Sequence, residues 1–128
     1  MRWYVDSSAL IKLFIEEKES AALDEHLDHH QPELVGCHLL ETEARRAASR
    51  LGAPQSSVTQ ALAEVNRYDL HQTLFRQAGH LPGANLRSLD AIHLAAALLL
   101  DADALLAYDT RLIESAQLLG LPSVSPGR

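Results

Sequence analysis

Short hydrophobic runs that lead at once into a helical pattern are the feature that most restricts how this chain can fold. The run Trp3–Val5 ends at Asp6, and residues 7–14 then carry apolar side chains at helical spacing. The run Leu34–Cys37 leads in the same way into an amphipathic segment that ends at Gly52. Strands that alternate with helices favour a mostly parallel sheet with helices on both faces. The sequence therefore predicts an α/β fold with four to five short strands.

The same reasoning assigns the other elements along the chain. Expected helices cover residues 7–14, 17–30, 38–51, a segment after Pro54, 73–79 and 109–119, with one more from Ser88, as its N-cap, to about Asp101. Expected strands are Trp3–Val5, Leu34–Cys37, Ala104–Tyr108 and Ser123–Val124, and Tyr68–His71 is predicted as a short strand or an extended link. The helix after Ser88 is apolar on nearly every side, so we expect it to be central and buried.

Length and composition indicate one folded domain over residues 1–128. Hydrophobic residues make up 47% of the 128 positions and charged residues 22%, far from the composition of a disordered chain. The longest nearly apolar stretch, residues 91–100, is too short to span a bilayer, and no secretory signal is visible. We therefore expect a cytoplasmic protein without a membrane segment. Cys37 is the only cysteine, which argues against a cysteine-based metal site and predicts a buried core thiol.

The net charge of −6 argues against bulk electrostatic binding of nucleic acid, because phosphate contacts need clustered basic side chains. A local basic face is compatible with this charge, since Arg45, Arg46 and Arg50 fall within two turns of one expected helix. An ordinary solvated helix face explains these arginines equally well.

Three aspartates are expected at one edge of the sheet. Asp6 directly follows the first strand, Asp109 follows a late strand, and both begin helices, while Asp90 lies in the first turn of the buried helix. Parallel strands place their carboxyl ends at the same edge, where ligands bind in open sheets, so these side chains should converge. Helix capping alone would explain any one of them, since aspartate is a favoured N-cap and is stabilised by the helix dipole.

A cluster of carboxylates differs chemically from isolated caps. Neighbouring carboxylates raise each other's pKa and cost free energy unless a cation compensates them. Mg²⁺ binds carboxylate oxygens together with substrate phosphate, and such a site can activate water for phosphodiester hydrolysis. A fourth acid could come from Glu41 or Glu43, which lie on opposite sides of one helix, and periodicity does not choose between them.

Four motifs, in a fixed order along the chain, carry a resemblance to a known family. They are Tyr4-Val5-Asp6-Ser7-Ser8-Ala9-Leu10-Ile11-Lys12-Leu13, Glu43-Ala44-Arg45-Arg46-Ala47, Leu89-Asp90-Ala91-Ile92-His93-Leu94-Ala95 and Tyr108-Asp109-Thr110-Arg111-Leu112. With this order and spacing, the chain resembles the PIN-domain nucleases over essentially its whole length, specifically the VapC toxins of bacterial and archaeal type II toxin–antitoxin pairs. The resemblance implies a three-layer α/β/α sandwich.

The resemblance also implies a site, a reaction and partners. The ligands of Mg²⁺ or Mn²⁺ would be Asp6, Glu43, Asp90 and Asp109. Of these, Asp6 and Asp90 are ranked highest as direct ligands. The implied activity is endoribonuclease hydrolysis of RNA, such as tRNA or rRNA, by metal-activated water, with an antitoxin as inhibitor and a homodimer as the assembly. Supporting candidates at the site are Ser8, Thr110 and Arg46, although helix capping accounts for either hydroxyl equally well.

The seven histidines lack the spacing of a metal site. His26 and His30 are four residues apart on one helix, and an exposed polar face is the simpler interpretation of that pair. His93 follows Asp90 by one turn, and we interpret it as a packing or hydrogen-bonding residue rather than a catalytic one.

Two other functions fit parts of the pattern. A phosphate-accepting, receiver-like signalling module also carries acids along the carboxyl edge of a parallel sheet, but it needs a lysine at the end of a late strand. The only lysines here are Lys12 and Lys18, both early in the chain. A catalytically idle PIN-like scaffold that binds a partner protein would keep the same fold. Retention of all four acids counts against it, although activity depends on their exact placement.

Overall fold

Five short parallel strands form the centre of the molecule, and the computed structural model describes all of residues 1–128. The strands are β1 (Arg2–Val5), β2 (Glu33–Cys37), β3 (Asn66–Tyr68), β4 (Ala104–Leu106) and β5 (Ser123–Val124). The helices are α1 (Ser7–Phe14), α2 (Ser20–His30), α3 (Leu39–Leu51), α4 (Gln55–Ala63), α5 (Gln72–Gly79), α6 (Ser88–Leu99) and α7 (Thr110–Leu118). The strand order is β3-β2-β1-β4-β5, and every neighbouring pair is parallel.

Alternation along the strands divides the core between the two faces of the sheet. On β1, Trp3 and Val5 pack with α1, α2, α3 and α4, whereas Tyr4 packs with α5, α6 and α7. On β4, Leu106 belongs to the first cluster and Leu105 to the second. The predicted three-layer α/β/α fold is therefore confirmed, and α6 is the buried helix of the second layer.

Two helices, α2 and α6, differ from the predicted bounds by more than one residue. Helix α2 begins at Ser20 rather than at Glu17, because the Ser20 hydroxyl accepts a hydrogen bond from the Glu17 N–H at 2.9 Å and donates one to the Ile15 carbonyl at 3.1 Å. These bonds close a turn ahead of the helix. At α6 the N-cap is Arg87, Ser88 is already helical, and the helix ends at Leu99 instead of continuing to Asp101.

Two strands also differ in extent. Strand β3 lies at residues 66–68, earlier than the expected Tyr68–His71, and pairs with the end of β2. It is an edge strand whose side chains are mostly exposed, so it carries no apolar pattern that would reveal it. Strand β4 ends at Leu106 rather than Tyr108, although the Ala107 N–H still bonds the Val124 carbonyl at 3.3 Å.

The strand order brings the carboxyl ends of β1, β2 and β4 side by side. Val5 pairs with Leu106, and the Asp6 N–H continues this ladder with a 3.0 Å bond to the Leu106 carbonyl. The segments that leave these three strands, which carry Asp6, helix α3 and Asp109, therefore meet at one edge of the sheet. None of the helices is both long and apolar enough to cross a membrane.

Candidate active site

Asp6 is held at the start of α1 in a buried position. Its side chain is the N-cap of the helix and accepts hydrogen bonds at Oδ2 from the Ser8 N–H at 3.2 Å and the Ser8 hydroxyl at 2.7 Å. The residue is only 4% exposed. Burial raises the pKa of Asp6, and the charge of His93 and the bonds from Ser8 only partly offset this.

Ser8 links Asp6 to the segment after β4. While its hydroxyl donates to Asp6, the same oxygen accepts a 2.9 Å hydrogen bond from the Tyr108 N–H. The Ser8 side chain therefore fixes the Asp6 carboxylate against the backbone that leads to Asp109. Ser8 thus takes part in the capping of α1 by Asp6, as expected from the sequence. Its bond to the Tyr108 backbone is a contact that the sequence does not show.

Asp90 and Asp109 complete the acidic edge from the second layer. Asp90 lies in the first turn of α6 and is partly buried. Burial raises the pKa of Asp90, and the negative charges of Asp109, Asp6 and Glu43 raise it further. Asp109 is exposed and caps α7, accepting bonds at Oδ1 from the N–H groups of the next helical turn. The other three acids are thus close enough to Asp90 for electrostatic repulsion between the carboxylates.

The structure distinguishes Glu43 from Glu41. Glu41 is engaged in two ion pairs, with Arg45 at 3.0 Å and with Arg67 at 2.7 Å. These hydrogen bonds and charges lower the pKa of Glu41, and they occupy both carboxylate oxygens. Glu43 lies toward the other acids, and its Oε1 is 2.5 Å from Nε2 of His93. The structure brings Glu43, rather than Glu41, into the cluster.

A buried polar network beneath the acids was not foreseen in full from the sequence. Nδ1 of His93 lies 2.8 Å from the Tyr4 hydroxyl and 3.8 Å from Sγ of Cys37, and the Tyr4 hydroxyl donates to Sγ at 3.2 Å. Burial lowers the pKa of His93, but its hydrogen bonds to Cys37 and Glu43 and the charges of Glu43 and Asp6 outweigh burial and raise it to about 10. Alternation on β1 and β2 places Tyr4 and Cys37 on the α6 face, which is the one sequence signal for this network.

Comparison with known proteins identifies the family of this chain. The PIN-domain family model matches residues 3–118. This chain belongs to the PIN-domain family. Its curated relatives are VapC proteins of Mycobacterium tuberculosis: ribonuclease VapC35 is 39% identical over 98% of this chain and 97% of its own length, and ribonuclease VapC46 is 36% identical over 96% of each. The chain is thus a PIN domain of the VapC family.

Solved structures agree with this fold. The PIN domain superimposes on M. tuberculosis VapC20, a toxin that cleaves the sarcin–ricin loop, with a TM-score of 0.74 at 16% identity, covering 97% of this chain and 99% of VapC20. A chain of a toxin–antitoxin complex from Klebsiella pneumoniae gives a TM-score of 0.73 at 24% identity and 96% coverage of both chains.

The acids of this PIN domain suit a hard, hydrated divalent cation better than a softer metal such as Zn²⁺ or Cu²⁺. No group of three His, Cys, Asp or Glu side chains converges on a single point, so a complete protein coordination shell is absent. Mg²⁺ does not need one, because it keeps several waters and uses one or two carboxylates plus phosphate. The donors at the edge are carboxylate oxygens. Burial raises the pKa of Asp6 and Asp90, with smaller contributions from neighbouring carboxylates, so a bound cation would stabilise their ionised forms. The residues therefore fit Mg²⁺ or Mn²⁺.

The other sequence candidates, Thr110 and Arg46, make no hydrogen bond or ion pair with the acids. Thr110 is exposed, and its hydroxyl accepts a 3.0 Å bond from Nη2 of Arg128 rather than contacting a carboxylate. Arg46 is exposed on α3, one turn after Glu43, and makes no hydrogen bond or ion pair. His26 stacks on Trp3 with ring centroids 5.5 Å apart, and His30 stacks on His26 at 4.1 Å, so these rings serve in packing.

Proposed function

We propose that this VapC-family PIN domain is a Mg²⁺- or Mn²⁺-dependent endoribonuclease and the cytoplasmic toxin of a type II toxin–antitoxin pair. The observation that supports the proposal is that Asp6, Glu43 and Asp109, from three separate segments, lie close enough to Asp90 for their charges to add to burial in raising its pKa, at the carboxyl edge of the sheet. Curated relatives named ribonucleases over nearly the whole chain support RNA as the substrate. Membership in the PIN family leaves the receiver-like interpretation without support.

The chain contributes ion binding and orientation to this reaction. When bound, the divalent ion supplies Lewis-acid activation of water and compensates the charge that develops on the phosphate. Asp6 and Asp90 would hold the ion, and Ser8 keeps the Asp6 carboxylate in one orientation. Glu43 and Asp109 would add further carboxylate oxygens to the ion, less directly than Asp6 and Asp90. Hydrolysis of this kind needs no protein nucleophile.

The direct test is cleavage of total cellular RNA by the purified protein with Mg²⁺, with Mn²⁺ and with chelator. We expect discrete fragments that require a divalent ion and that disappear in an Asp6→Ala variant. Sequencing of the fragment ends would identify the RNA cut. Absence of cleavage with every ion would instead support the idle scaffold that only binds a partner.

Three exposed arginines flank the acids and are proposed to contact RNA phosphates. Arg46, Arg87 and Arg111 each lie within three residues of a site acid, and none forms an ion pair. An anionic substrate needs such free cations beside a cluster of carboxylates, in a protein whose net charge is −6.

Replacing any one of these arginines by glutamine should weaken RNA binding several-fold and reduce the slope of log K against log salt concentration by about 0.7, the value for one neutralised phosphate of single-stranded RNA. Binding is measured by fluorescence anisotropy with labelled single-stranded RNA at several salt concentrations, without divalent ion. Arg76, exposed and unpaired on α5, supplies the matched control, Arg76→Gln. If all four variants lost RNA affinity equally, the arginines would attract RNA only non-specifically. The proposed phosphate contacts of the three site arginines would then be refuted.

A cognate antitoxin and a second copy of the chain are the proposed protein partners. The structural likeness to a chain of a toxin–antitoxin complex supports the antitoxin, which would place a basic side chain among the acids. The homodimer rests on the family alone. Light scattering at micromolar concentration should give twice the mass of 14.0 kDa, and a strict monomer would refute the dimer.

A further inference from the structure

His93 connects the acidic edge to the buried interior. The residue has no exposed surface and lies on α6 among the side chains of the second layer. Its Nε2 lies 2.5 Å from Oε1 of Glu43, on helix α3 of the first layer, and its Nδ1 lies 2.8 Å from the Tyr4 hydroxyl on β1. One imidazole therefore joins both helical layers and the central strand at the end of the sheet.

Glu43 depends on this contact for a defined position. Glutamate has one more rotatable bond than aspartate, and the Glu43 side chain is 23% exposed. Asp6 and Asp109 are fixed by hydrogen bonds from their own helices, whereas Glu43 accepts a hydrogen bond from no side chain other than His93. Without the imidazole, the carboxylate would be free to turn into solvent.

The contact also leaves part of Glu43 available. His93 occupies Oε1, and Oε2 makes no hydrogen bond within the protein. Hydrogen-bonded partners of this kind orient ligating carboxylates, and their loss costs about 10–100-fold in metal affinity.

We propose that His93 is a positioning residue, which fixes Glu43 through Nε2 so that the second carboxylate oxygen is presented to the divalent ion. This inference rests on the proposed metal-dependent function. The competing explanation is that His93 only fills space between α6 and the sheet. The positioning role requires a donor at the place of Nε2. A space-filling role does not depend on which ring nitrogen a substitution replaces.

Two amide variants separate these explanations. In His93→Gln, the side-chain N–H reaches about as far as Nε2 and can still donate to Glu43, whereas the shorter amide of His93→Asn reaches only the place of Nδ1, beside Tyr4. Mn²⁺ affinity is measured by calorimetry without RNA, and cleavage is measured in parallel. We expect His93→Asn to lose about 10–100-fold in Mn²⁺ affinity and His93→Gln to lose less than about threefold. Equal affinities in both variants, whether lowered or unchanged, would overturn the proposal.

Controls address folding and the pathway of the effect. Leu62→Ala removes a buried side chain of the first core cluster, on α4, and it should lower thermal stability without changing Mn²⁺ affinity. In a Glu43→Gln background, His93→Asn should cost no further affinity, because the carboxylate it positions is absent. Additive losses would contradict the assigned role.

Wild-type protein provides an independent readout if neither His93 variant folds. With ¹⁵N-labelled histidine, the buried Nε2–H of His93 should give a slowly exchanging NMR signal that shifts on addition of Mg²⁺. A signal unmoved by Mg²⁺, while the protein binds the ion, would overturn the proposal. Wild-type protein that binds no divalent ion would refute the proposed function itself, which is a distinguishable result.

Discussion

An Asp6→Asn variant is expected to lose at least about 10³-fold in metal-dependent RNA cleavage while remaining folded. Loss of an ion ligand removes several kcal/mol of transition-state stabilisation, which corresponds to a factor of this size. Asparagine caps a helix as well as aspartate, so the start of α1 is preserved and only the charge is removed. Asp6→Ala should lose the same activity and also about 1 kcal/mol of stability with the cap. Initial rates and thermal unfolding, measured on one preparation, separate the two effects.

The same loss is expected for Asp90→Ala, which removes no capping bond, because Arg87 holds the N-cap position of α6. Glu114→Ala is the matched control: Glu114 is an exposed acid on α7 with no hydrogen-bond partner, and its removal should leave the rate unchanged. Cleavage retained in both the Asp6 and Asp90 variants would remove these residues from the site. A smaller loss for Asp109→Asn than for Asp90→Ala is expected if Asp109 acts less directly.

Divalent ion should stabilise the wild-type protein strongly. At a concentration 100 times its Kd, a ligand that binds only the folded state adds about 2.7 kcal/mol, or about 10 °C in melting temperature for a domain of this size. Asp90→Asn should abolish this gain. It should also melt higher than the wild type in chelator, because a partly buried carboxylate beside other negative charges is replaced by a neutral amide. Scanning fluorimetry with Mg²⁺ and with chelator tests both statements, and an undiminished Mg²⁺ effect in the variant would place the ion elsewhere.

The sign of the pH dependence follows from the raised pKa values of Asp6 and Asp90. Between the ordinary aspartate pKa of 3.8 and the raised folded values, the folded state binds more protons than the unfolded state. The free energy of unfolding of the metal-free protein therefore falls as pH rises through this window. Because Mg²⁺ binds the ionised acids, it should reduce this pH-dependent decrease in the free energy of unfolding. Comparing wild type with Asp90→Asn across the window isolates the part due to Asp90, which the variant should lack.

Sequence patterns predicted the layers because the central strands carry their own apolar signals. Trp3, Tyr4 and Val5 are all apolar enough for a strand buried on both faces, and Asp6 marks where it ends. Strand β3 gave no such signal, because an exposed edge strand is held by backbone pairing with β2 rather than by burial. Hydrophobic periodicity predicts that α2 begins at Glu17, but the helix begins at Ser20. The Ser20 hydroxyl closes a turn before the helix, and periodicity carries no signal for such a turn.

The candidate site was only partly accessible from sequence. Asp6 directly follows β1 and Asp109 lies just beyond β4, so the topology brings both to the same edge of the sheet. Choosing Glu43 over Glu41 needed family resemblance, and the physical reason appears only in three dimensions: Arg67, 26 positions away, pairs with Glu41. The contact of His93 with Glu43 spans 50 positions and two layers, and no local pattern encodes such a pairing.

The placement of β1 between β2 and β4 has a consequence for when activity arises. The backbone N–H of Arg2 bonds the side chain of Asp103, 101 positions later, and the four acids are spread from residue 6 to residue 109. A chain still emerging from the ribosome therefore has no assembled edge until most of it has been made. Long-range parallel pairing is also slow to form, because the entropy of closing a large loop is lost before the non-local contacts stabilise it. The acidic edge therefore assembles only when the sheet folds, after most of the chain has been synthesised.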